Sequence, residues 1–395
     1  MTIEGPYAGL RVLDLGQGIA APYCAMLLAM QGAEVVKLEP PAGDWSRGLG
    51  TRYGAQTAMS VQYNRGKKSL ALDLKAAAAR EVALELALRA DILVEGFRPG
   101  VAARLGLGWE ALSARSPRLI YVSVSGFGQD GPYADLPCTD SVAQAFTGLV
   151  SVNIGNDGTP HRVGALIVDA LTGLYAAQAV GVALYARERH SKGRRLEFSL
   201  TQSAAAILGH KLAEHVLEGG KPRALNVPTG AYRTSDNGWI MVALIREEDF
   251  ARLAAALGRP DLASDPRFAS FAARAENTAA VTGIVRERFA ADTTAHWLGR
   301  LREADILADR INGFDEWLAD PHVVATGGAV ALPQPGMGLF HAARTPGVSA
   351  ETDAAMPPAP AIGEHGREIL AELGLDEARI AGLAADGALL LPGSA

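Results

Sequence analysis

The chain has 395 residues, of which 49% are apolar and 20% are charged, and its formal net charge is −6. This composition excludes a disordered chain, and the negative charge removes the electrostatic case for nucleic-acid binding, which needs a basic face. The length allows two domains, because single hydrophobic cores usually stop growing at about 250 to 300 residues.

The cysteines and the N-terminal residues indicate where the protein works. Cys24 and Cys138 are the two cysteines of the chain, and they form neither a disulfide framework nor a zinc-binding pattern. We therefore predict no metal and a reducing compartment. The first ten residues lack the features of a signal peptide or an organelle presequence, so the predicted location is the cytoplasm.

The first 130 residues alternate short β-rich runs with alanine-rich helical stretches. Such alternation predicts βαβ units and a parallel sheet, with ligands bound at the carboxyl edge of the strands. The predicted strands are residues 10–15, 33–39, 69–74, 92–97 and 119–125.

One long apolar segment raises the question of a membrane span. Residues 165–186 are apolar enough, but they contain Asp169, and a carboxylate at bilayer depth is costly. We therefore predict a buried helix over residues 169–189 in a protein with no membrane partner. Turn formers precede this helix at residues 153–162.

Residues 219–228 are predicted to form a linker, and the pattern of predicted secondary structure changes after them. Residues 231–234 and 239–244 flank a turn and predict a hairpin, and helical segments follow. The predicted fold class is α/β: a large Rossmann-like domain with a parallel sheet and a smaller α+β domain. The predicted boundaries are 1–225 for the first part of the large domain, 226–330 for the small domain and 331–395 for a return segment.

A glycine-rich turn, GQGIAA at residues 16–21, directly follows the first predicted strand, and Glu39 ends the second. This arrangement matches a dinucleotide-binding fingerprint with its ribose-binding acid, and it makes an NAD-dependent oxidoreductase one hypothesis. Pro22 stiffens the chain where the helix should start, and no residue constellation for hydride chemistry accompanies the turn. The simpler interpretation is that small residues allow a tight turn from strand to helix.

Asp169 stands where the turn-rich segment meets the long apolar helix, and two interpretations are compatible there. The first is a helix N-cap, whose carboxylate accepts backbone N–H groups. The second is a nucleophile, because a carboxylate in a water-poor pocket can attack a thioester and form a reactive acyl-aspartyl anhydride.

Several motifs occur in order along nearly the whole chain. They are residues 9–22, 32–41, NRGKKSLALDL at 64–74, DILVEGFRPGVAARLG at 91–106, SVSGFGQDGPYA at 123–134, VDALTGLYAA at 168–177, ALYAR at 183–187, GRRLEFSL at 193–200 and PAPAIGEHGREILAEL at 358–373. Together these motifs resemble a known family, the class III CoA-transferases of the carnitine- and formyl-CoA type (CaiB/BaiF). The agreement is weakest in the second domain.

The resemblance implies a fold, an activity and site residues. It implies a homodimer of two interlocked rings, with acyl-CoA and a carboxylic acid as substrates and no covalently bound cofactor. The family's nucleophile falls on Asp169. The residues that correspond to the CoA contacts of the family are Leu74, Lys75, Phe97, Arg104 and Leu105, and those expected in the substrate pocket are Gln17, Ile19 and Asp140.

The same superfamily contains α-methylacyl-CoA racemases, in which a histidine directly precedes the aspartate that is Asp140 here. This chain has Thr139 at that position, and threonine is no base at neutral pH. His161 is the weak alternative for a second base. Transfer is therefore favoured over racemisation, and a non-catalytic CoA-binding protein is the third hypothesis. Because Pro40 and Pro41 replace arginines of the formyl type, formate and oxalate are not expected as substrates.

Overall fold

The computed structural model describes residues 5–155, 158–220 and 226–392, so parts of the predicted turn-rich segment and of the predicted linker lie outside the described residues. Internal contacts divide the chain into two compact units. The large unit comprises Met1–Gly209 and Ala325–Ala395, and the small unit comprises His210–Val324.

Fourteen strands form four sheets within the described residues. In chain order they are β1 (Arg11–Asp14), β2 (Glu34–Glu39), β3 (Arg52–Tyr53), β4 (Gln56–Thr57), β5 (Lys67–Leu72), β6 (Ile92–Glu95), β7 (Ile120–Ser125), β8 (Arg194–Ser199), β9 (Gly230–Arg233), β10 (Trp239–Ala243), β11 (Leu307–Arg310), β12 (Ala329–Gln334), β13 (Gly338–Ala343) and β14 (Leu389–Leu390).

The α-helices of the described residues connect and cover these strands. In chain order they are α1 (Ala20–Met30), α2 (Ala58–Asn64), α3 (Ala77–Arg89), α4 (Val101–Arg104), α5 (Trp109–Ser113), α6 (Asp140–Phe146), α7 (Ile167–His190), α8 (Leu200–Ile207), α9 (Gly209–Leu217), α10 (Asp249–Ala256), α11 (Phe271–Glu276), α12 (Thr278–Phe289), α13 (Thr294–Glu303), α14 (Phe314–Ala319), α15 (Pro321–Thr326), α16 (Ala350–Ala354), α17 (Gly366–Glu372) and α18 (Glu377–Ala385).

The large unit is built on a seven-stranded sheet in the order β14-β5-β2-β1-β6-β7-β8. All neighbouring strands are parallel except β14, which pairs antiparallel with β5 at the edge. The five predicted strands correspond to β1, β2, β5, β6 and β7, so the prediction of a parallel sheet is confirmed. The C-terminal segment returns to this sheet through β14, where Leu389 pairs with Leu72.

Two apolar layers enclose the sheet, which explains why its inner strands are nearly continuous apolar runs. All six residues of β7 are buried. One layer is formed mainly by α1 and α7 and the other by α3, α17 and α18. The start of α7 lies close to α1 because Gly173 has no side chain: a Cβ there would lie 2.7 Å from the carbonyl oxygen of Ala20.

The small unit has an antiparallel sheet in the order β11-β10-β9. The predicted hairpin is present as β9 and β10, with Trp239 opposite Arg233. Its core packs the Phe289 ring between Tyr232, at a centroid distance of 5.0 Å, and Trp297, at 5.4 Å. The unit is therefore of the α+β type.

Helix α7 is long and apolar enough to cross a bilayer by length and composition, and it is the helix of the described residues that meets this test. A core helix of a protein outside the membrane meets the same test. About a third of its most apolar window (33%) is buried in the single chain.

Candidate active site at the carboxyl edge of the sheet

Two neighbouring cavities open at the carboxyl edge of the large sheet, where the strand-to-helix connections of β1, β6 and β7 meet. The first, which we call the aspartate cavity, has a volume of about 250 Å³. It is lined by Gln17, Ile19, Ala20, Ala21, Trp45, Gly96, Phe97, Arg98, Pro99, Val124, Ser125, Gly126, Ala134, Leu136, Pro137, Cys138, Thr139, Asp169 and Leu200.

The second, which we call the leucine cavity, has a volume of about 320 Å³. It is lined by Leu15, Gln17, Leu38, Pro40, Leu72, Asp73, Leu74, Lys75, Arg80, Phe97 and Leu105. Gln17 and Phe97 line both cavities, so these two side chains lie between them. A ligand that extends across this junction can place one end at Asp169 and the other at Lys75.

Asp169 lies in the first turn of α7 and is partly buried in the wall of the aspartate cavity. Burial, and secondarily the negative charge of Asp140, raise the pKa of Asp169 to about 7. Removing water around a carboxylate disfavours its charged form, and a second carboxylate nearby adds to the effect. Asp169 is therefore an acid whose ionisation is poised near neutral pH.

The interpretation of Asp169 as the N-cap of its helix is wrong in detail. The N-cap position of α7 is Leu166, and the first amides of the helix are satisfied from another element. Oδ2 of Asp140 accepts the backbone N–H of Val168 at 2.7 Å and that of Asp169 at 3.1 Å. The capping carboxylate is thus Asp140, and the Asp169 side chain is left to face the cavity.

Asp140, predicted in the substrate pocket, is buried at 2% exposure and is not among the described residues that line either cavity. Its Oδ1 accepts Nε2 of Gln144 at 2.6 Å, and Oε1 of Gln144 in turn accepts the N–H of Val163 at 2.9 Å. Through these hydrogen bonds, Asp140 and Gln144 connect α6 both to the segment before α7 and to the first turn of α7. Asp140 therefore lies behind the cavity wall and holds the backbone of Asp169.

The glycine-rich turn is held from beneath by buried carboxylates. The N–H of Gly16 donates to Oδ1 of Asp14 at 2.9 Å, and the N–H of Gly18 donates to Oδ1 of Asp44 at 2.9 Å. Gly18 has a φ of +79°, and a Cβ at this position would lie 2.1 Å from the Trp45 ring. The turn therefore requires glycine at position 18. The preceding residue, Gln17, has its side chain in the wall of both cavities.

These contacts contradict the dinucleotide hypothesis. A pyrophosphate would need the turn amides, which are already bonded to carboxylates. Glu39 is fully buried and binds the Arg47 guanidinium through both oxygens, at 2.8 and 2.7 Å, so it is not available to a ribose. The turn serves a structural purpose beneath the cavities.

The structure brings most of the predicted CoA contacts together. Leu74, Lys75, Phe97 and Leu105 line the leucine cavity, where Lys75 is exposed and the other three are partly buried. Arg104 is exposed at the end of α4 and is not among the described residues that line either cavity. Gln17 and Ile19, the two other residues predicted in the substrate pocket, line the aspartate cavity.

Sequence reasoning missed Arg80, which lines the leucine cavity beside Lys75. Its Nη1 donates to the carbonyl oxygens of Leu74 and Lys75 at 3.0 and 2.7 Å. A cation in the first turn of a helix opposes the helix dipole, and Arg80 near the start of α3 carries that signal in the sequence. Trp45, Arg98 and Cys138, which line the aspartate cavity, were also missed.

A second base for racemisation is not among the described residues that line the aspartate cavity. Thr139 lines it, whereas His161 is exposed and does not. Within the described part of the chain, no group of three His, Cys, Asp or Glu side chains is arranged to hold a metal ion.

The chain is similar to known proteins along nearly its whole length. The model of CoA-transferase family III matches residues 7–366. A succinyl-CoA–D-citramalate CoA-transferase of Chloroflexus aurantiacus is 35% identical over 390 residues, which cover 96% of this chain and 97% of the relative. The human succinyl-CoA:glutarate CoA-transferase is 31% identical over 381 residues, with 93% and 86% covered.

Solved structures give the same result. The Mycobacterium tuberculosis protein Rv3272 superimposes with a TM-score of 0.82 at 30% identity, covering 93% of this chain and 100% of that protein. A CaiB/BaiF family protein from Brucella suis gives a TM-score of 0.80 at 31% identity, with 94% and 100% covered. The chain belongs to CoA-transferase family III and is an enzyme that transfers coenzyme A.

Proposed function

We propose that the enzyme moves coenzyme A from an acyl-CoA donor to a carboxylic acid acceptor with Asp169 as nucleophile. The observation that carries the proposal is the position of this carboxyl group. It lies in a cavity that shares Gln17 and Phe97 with a second cavity, whose lining is largely apolar and includes two cations and the carboxylate of Asp73. The apolar walls suit adenine and pantetheine, and the cations Lys75 and Arg80 suit phosphates.

The reaction proceeds in four balanced steps. The Asp169 carboxylate attacks the thioester carbonyl, and the tetrahedral intermediate expels CoA as a thiolate, which leaves a mixed anhydride of Asp169 and the donor acid. The thiolate then attacks the aspartyl carbonyl, which releases the donor acid and leaves an aspartyl-CoA thioester. The acceptor carboxylate attacks that thioester to form a second anhydride and free thiolate. Attack of the thiolate on the acceptor acyl carbonyl completes the transfer and restores Asp169.

Gln17 and Ile19 form the part of the pocket that meets the acyl group in this proposal. The Gln17 amide donates to the acyl carbonyl oxygen, where negative charge develops during each attack, and a fixed donor is most effective at that position. Asp140 holds the start of α7, as its bonds to the amides of Val168 and Asp169 support.

The substrates are proposed to be short dicarboxylic acids. Relatives with this fold are named for succinyl-CoA, glutarate and D-citramalate. Arg98 lines the aspartate cavity as an exposed cation and can pair with the distal carboxylate of such an acid. A panel of acyl-CoA donors against mono- and dicarboxylates, with formate and oxalate included, tests this assignment.

We further propose a homodimer, interlocked as the family resemblance implies. Helix α7 exposes an apolar face in the single chain, with Val182 at 61% and Tyr185 at 66% exposure. A groove of about 500 Å³ runs beside this face between α7, β8 and α8. Exposed apolar area of this kind marks an interaction surface. Light scattering should give twice the chain mass, and Val182→Glu should lower it, whereas the isosteric Val182→Thr should not.

The experiment that tests the function follows Asp169 during turnover. Hydroxylamine or borohydride added with acyl-CoA should modify Asp169, as found by peptide mass spectrometry. Asp169→Ala should abolish exchange between two acids while CoA still binds, and Asp130→Asn, an exposed carboxyl group, should leave exchange intact. Full exchange by the Asp169→Ala variant overturns the mechanism. Deuterium uptake from solvent without an acceptor acid would indicate a racemase, and CoA binding without exchange a non-catalytic protein.

A further inference from the structure

Four buried charged side chains form a chain of ion pairs beneath the glycine-rich turn. Nζ of Lys67 contacts Oδ2 of Asp14 at 2.8 Å, and Nζ of Lys37 lies 3.9 Å from the same oxygen and 2.8 Å from Oδ2 of Asp44. The side chains of all four residues have no solvent exposure. Two ammonium groups and two carboxylates balance, so the cluster is electrically neutral.

Each end of the turn is bonded to this network. Asp14 accepts the N–H of Gly16, Asp44 accepts the N–H of Gly18, and Nζ of Lys37 donates to the carbonyl oxygen of Gly16 at 2.8 Å. Lys37 is the only one of the four that contacts both the turn and each carboxylate. Gln17 lies between the two anchored residues, Gly16 and Gly18, and its side chain lines both cavities.

The free energy of burying these ion pairs indicates that the network positions the turn and does not primarily stabilise the fold. Taking four charges out of water is costly, and well-packed apolar side chains of similar volume often stabilise a protein as well as or better than a buried ion pair does. What the network supplies, and apolar packing does not, is a set of directional bonds that fix the backbone on both sides of Gln17. Lys67 is itself fixed by two further acceptors, the carbonyl oxygen of Pro22 and Oδ1 of Asn64.

We propose that Lys37 is a positioning residue for CoA transfer: it fixes the turn so that the Gln17 amide stands at the junction of the two cavities. The inference rests on the proposed function of Gln17 as a donor to the acyl carbonyl. A displacement of about 1 Å in such a donor is enough to cost up to about 100-fold in rate. Lys37 is fully buried and acts without contact to either substrate.

A double-mutant cycle tests this inference. Lys37→Met, Gln17→Ala and the double variant are compared by kcat/KM for the acyl-CoA donor. Lys37→Met should lower kcat/KM by at least about 10-fold in the wild-type background and by less than about 2-fold in the Gln17→Ala background, because its effect passes through Gln17. Equal losses in the two backgrounds overturn the proposal, as does an unchanged rate in Gln17→Ala.

A second variant and a matched control keep the test decisive if Lys37→Met does not fold. Asp44→Asn retains an oxygen for the Gly18 amide and removes the ion pair with Lys37, and the same cycle with Gln17→Ala applies to it. The control is Asp353→Asn, which breaks an equally buried ion pair with Arg65, at 2.9 Å, away from the turn. It should lower thermal stability and combine additively with Gln17→Ala. Trapping of the aspartyl adduct is measured separately, so a failure of the aspartate mechanism is distinguishable.

Discussion

Oδ2 of Asp140 lies 3.1 Å from the backbone nitrogen of Asp169, so one carboxylate both holds the turn that carries the proposed nucleophile and raises its pKa. The two effects oppose each other in the reaction. The hydrogen bonds fix the attack geometry, whereas the negative charge keeps part of the enzyme in the protonated, unreactive form at neutral pH. Asp140 is therefore expected to influence both the rate and its pH dependence.

Asp140→Asn should separate these effects. The amide oxygen still accepts an N–H of the first turn, but the charge is lost, so the pKa of Asp169 should fall and kcat/KM should reach its plateau at lower pH. The amide nitrogen cannot accept Nε2 of Gln144, and the loss of this buried bond should cost about 1 to 3 kcal/mol of stability. The pH profile of kcat/KM and thermal unfolding are the measurements. An unshifted profile would show that the charge of Asp140 does not act on Asp169.

The wild-type enzyme should become more active as the pH rises through about 7. Attack requires the ionised carboxylate, and the pKa of Asp169 is raised to about 7 in the free enzyme by burial and by Asp140. Because kcat/KM reports the ionisation of free enzyme and free substrate, its profile should show one ascending limb with a midpoint near this value. An enzyme that is equally active at pH 5 and pH 8 would contradict the role of Asp169.

The free energy of unfolding should also depend on the ionisation of Asp169, but it should fall as the pH rises, whereas the activity should increase. In the unfolded chain an aspartate ionises near pH 4, whereas folded Asp169 retains its proton to about 7. Between these values the folded state binds more protons, so this group favours folding at low pH, and its contribution declines by up to about 1.4 kcal/mol per pH unit as the pH rises. Asp169→Asn should therefore gain stability relative to wild type between pH 4 and pH 7. Denaturant unfolding at several pH values measures this, and a pH-independent difference would exclude it.

The elements that could be predicted from the sequence are those whose pattern is local. The inner strands β1, β2, β5, β6 and β7 are short apolar runs between turn formers, and all were predicted within two residues of their observed starts. Strand β8 was not predicted, because half of its six side chains are exposed and these are the charged residues Arg194, Arg195 and Glu197 at the sheet edge. Strand β14 has only two residues and takes its conformation from pairing with β5.

The same distinction applies to the site. Asp169 could be identified because it stands at the start of an apolar helix within a family motif, and Gln17 because it lies in a glycine-rich turn. The bonds from Asp140 to the start of α7 join residues 28 and 29 positions apart. The Lys37 network joins strands that are neighbours only in the folded sheet. Such long-range contacts leave no local pattern in a single sequence.

Arg80→Met should weaken the binding of CoA. Arg80 lines the leucine cavity and holds the carbonyl oxygens of Leu74 and Lys75, so the variant loses a cation and loosens the strand end that carries Lys75. Loss of charge-assisted bonds to phosphate should raise Kd for CoA by about 10-fold, as measured by calorimetry. Arg89→Met, on the same helix and paired with Glu85, is the control and should bind CoA normally. Equal affinities of the two variants would place the phosphates elsewhere.

Gly18→Ala should impair the enzyme through a steric clash with Trp45. Alanine at a φ of +79° is strained by about 1 kcal/mol, and its Cβ would in addition lie 2.1 Å from the ring. Gly9→Ala is the matched control, because Gly9 has a φ of +84° and its Cβ would meet no atom within 4 Å. Thermal unfolding and kcat/KM of the two variants should therefore differ, with Gly18→Ala clearly less stable and less active. Adding Trp45→Ala should relieve the clash and recover much of the lost stability. If it does not, the positive φ of the turn, and not contact with the Trp45 ring, causes the loss.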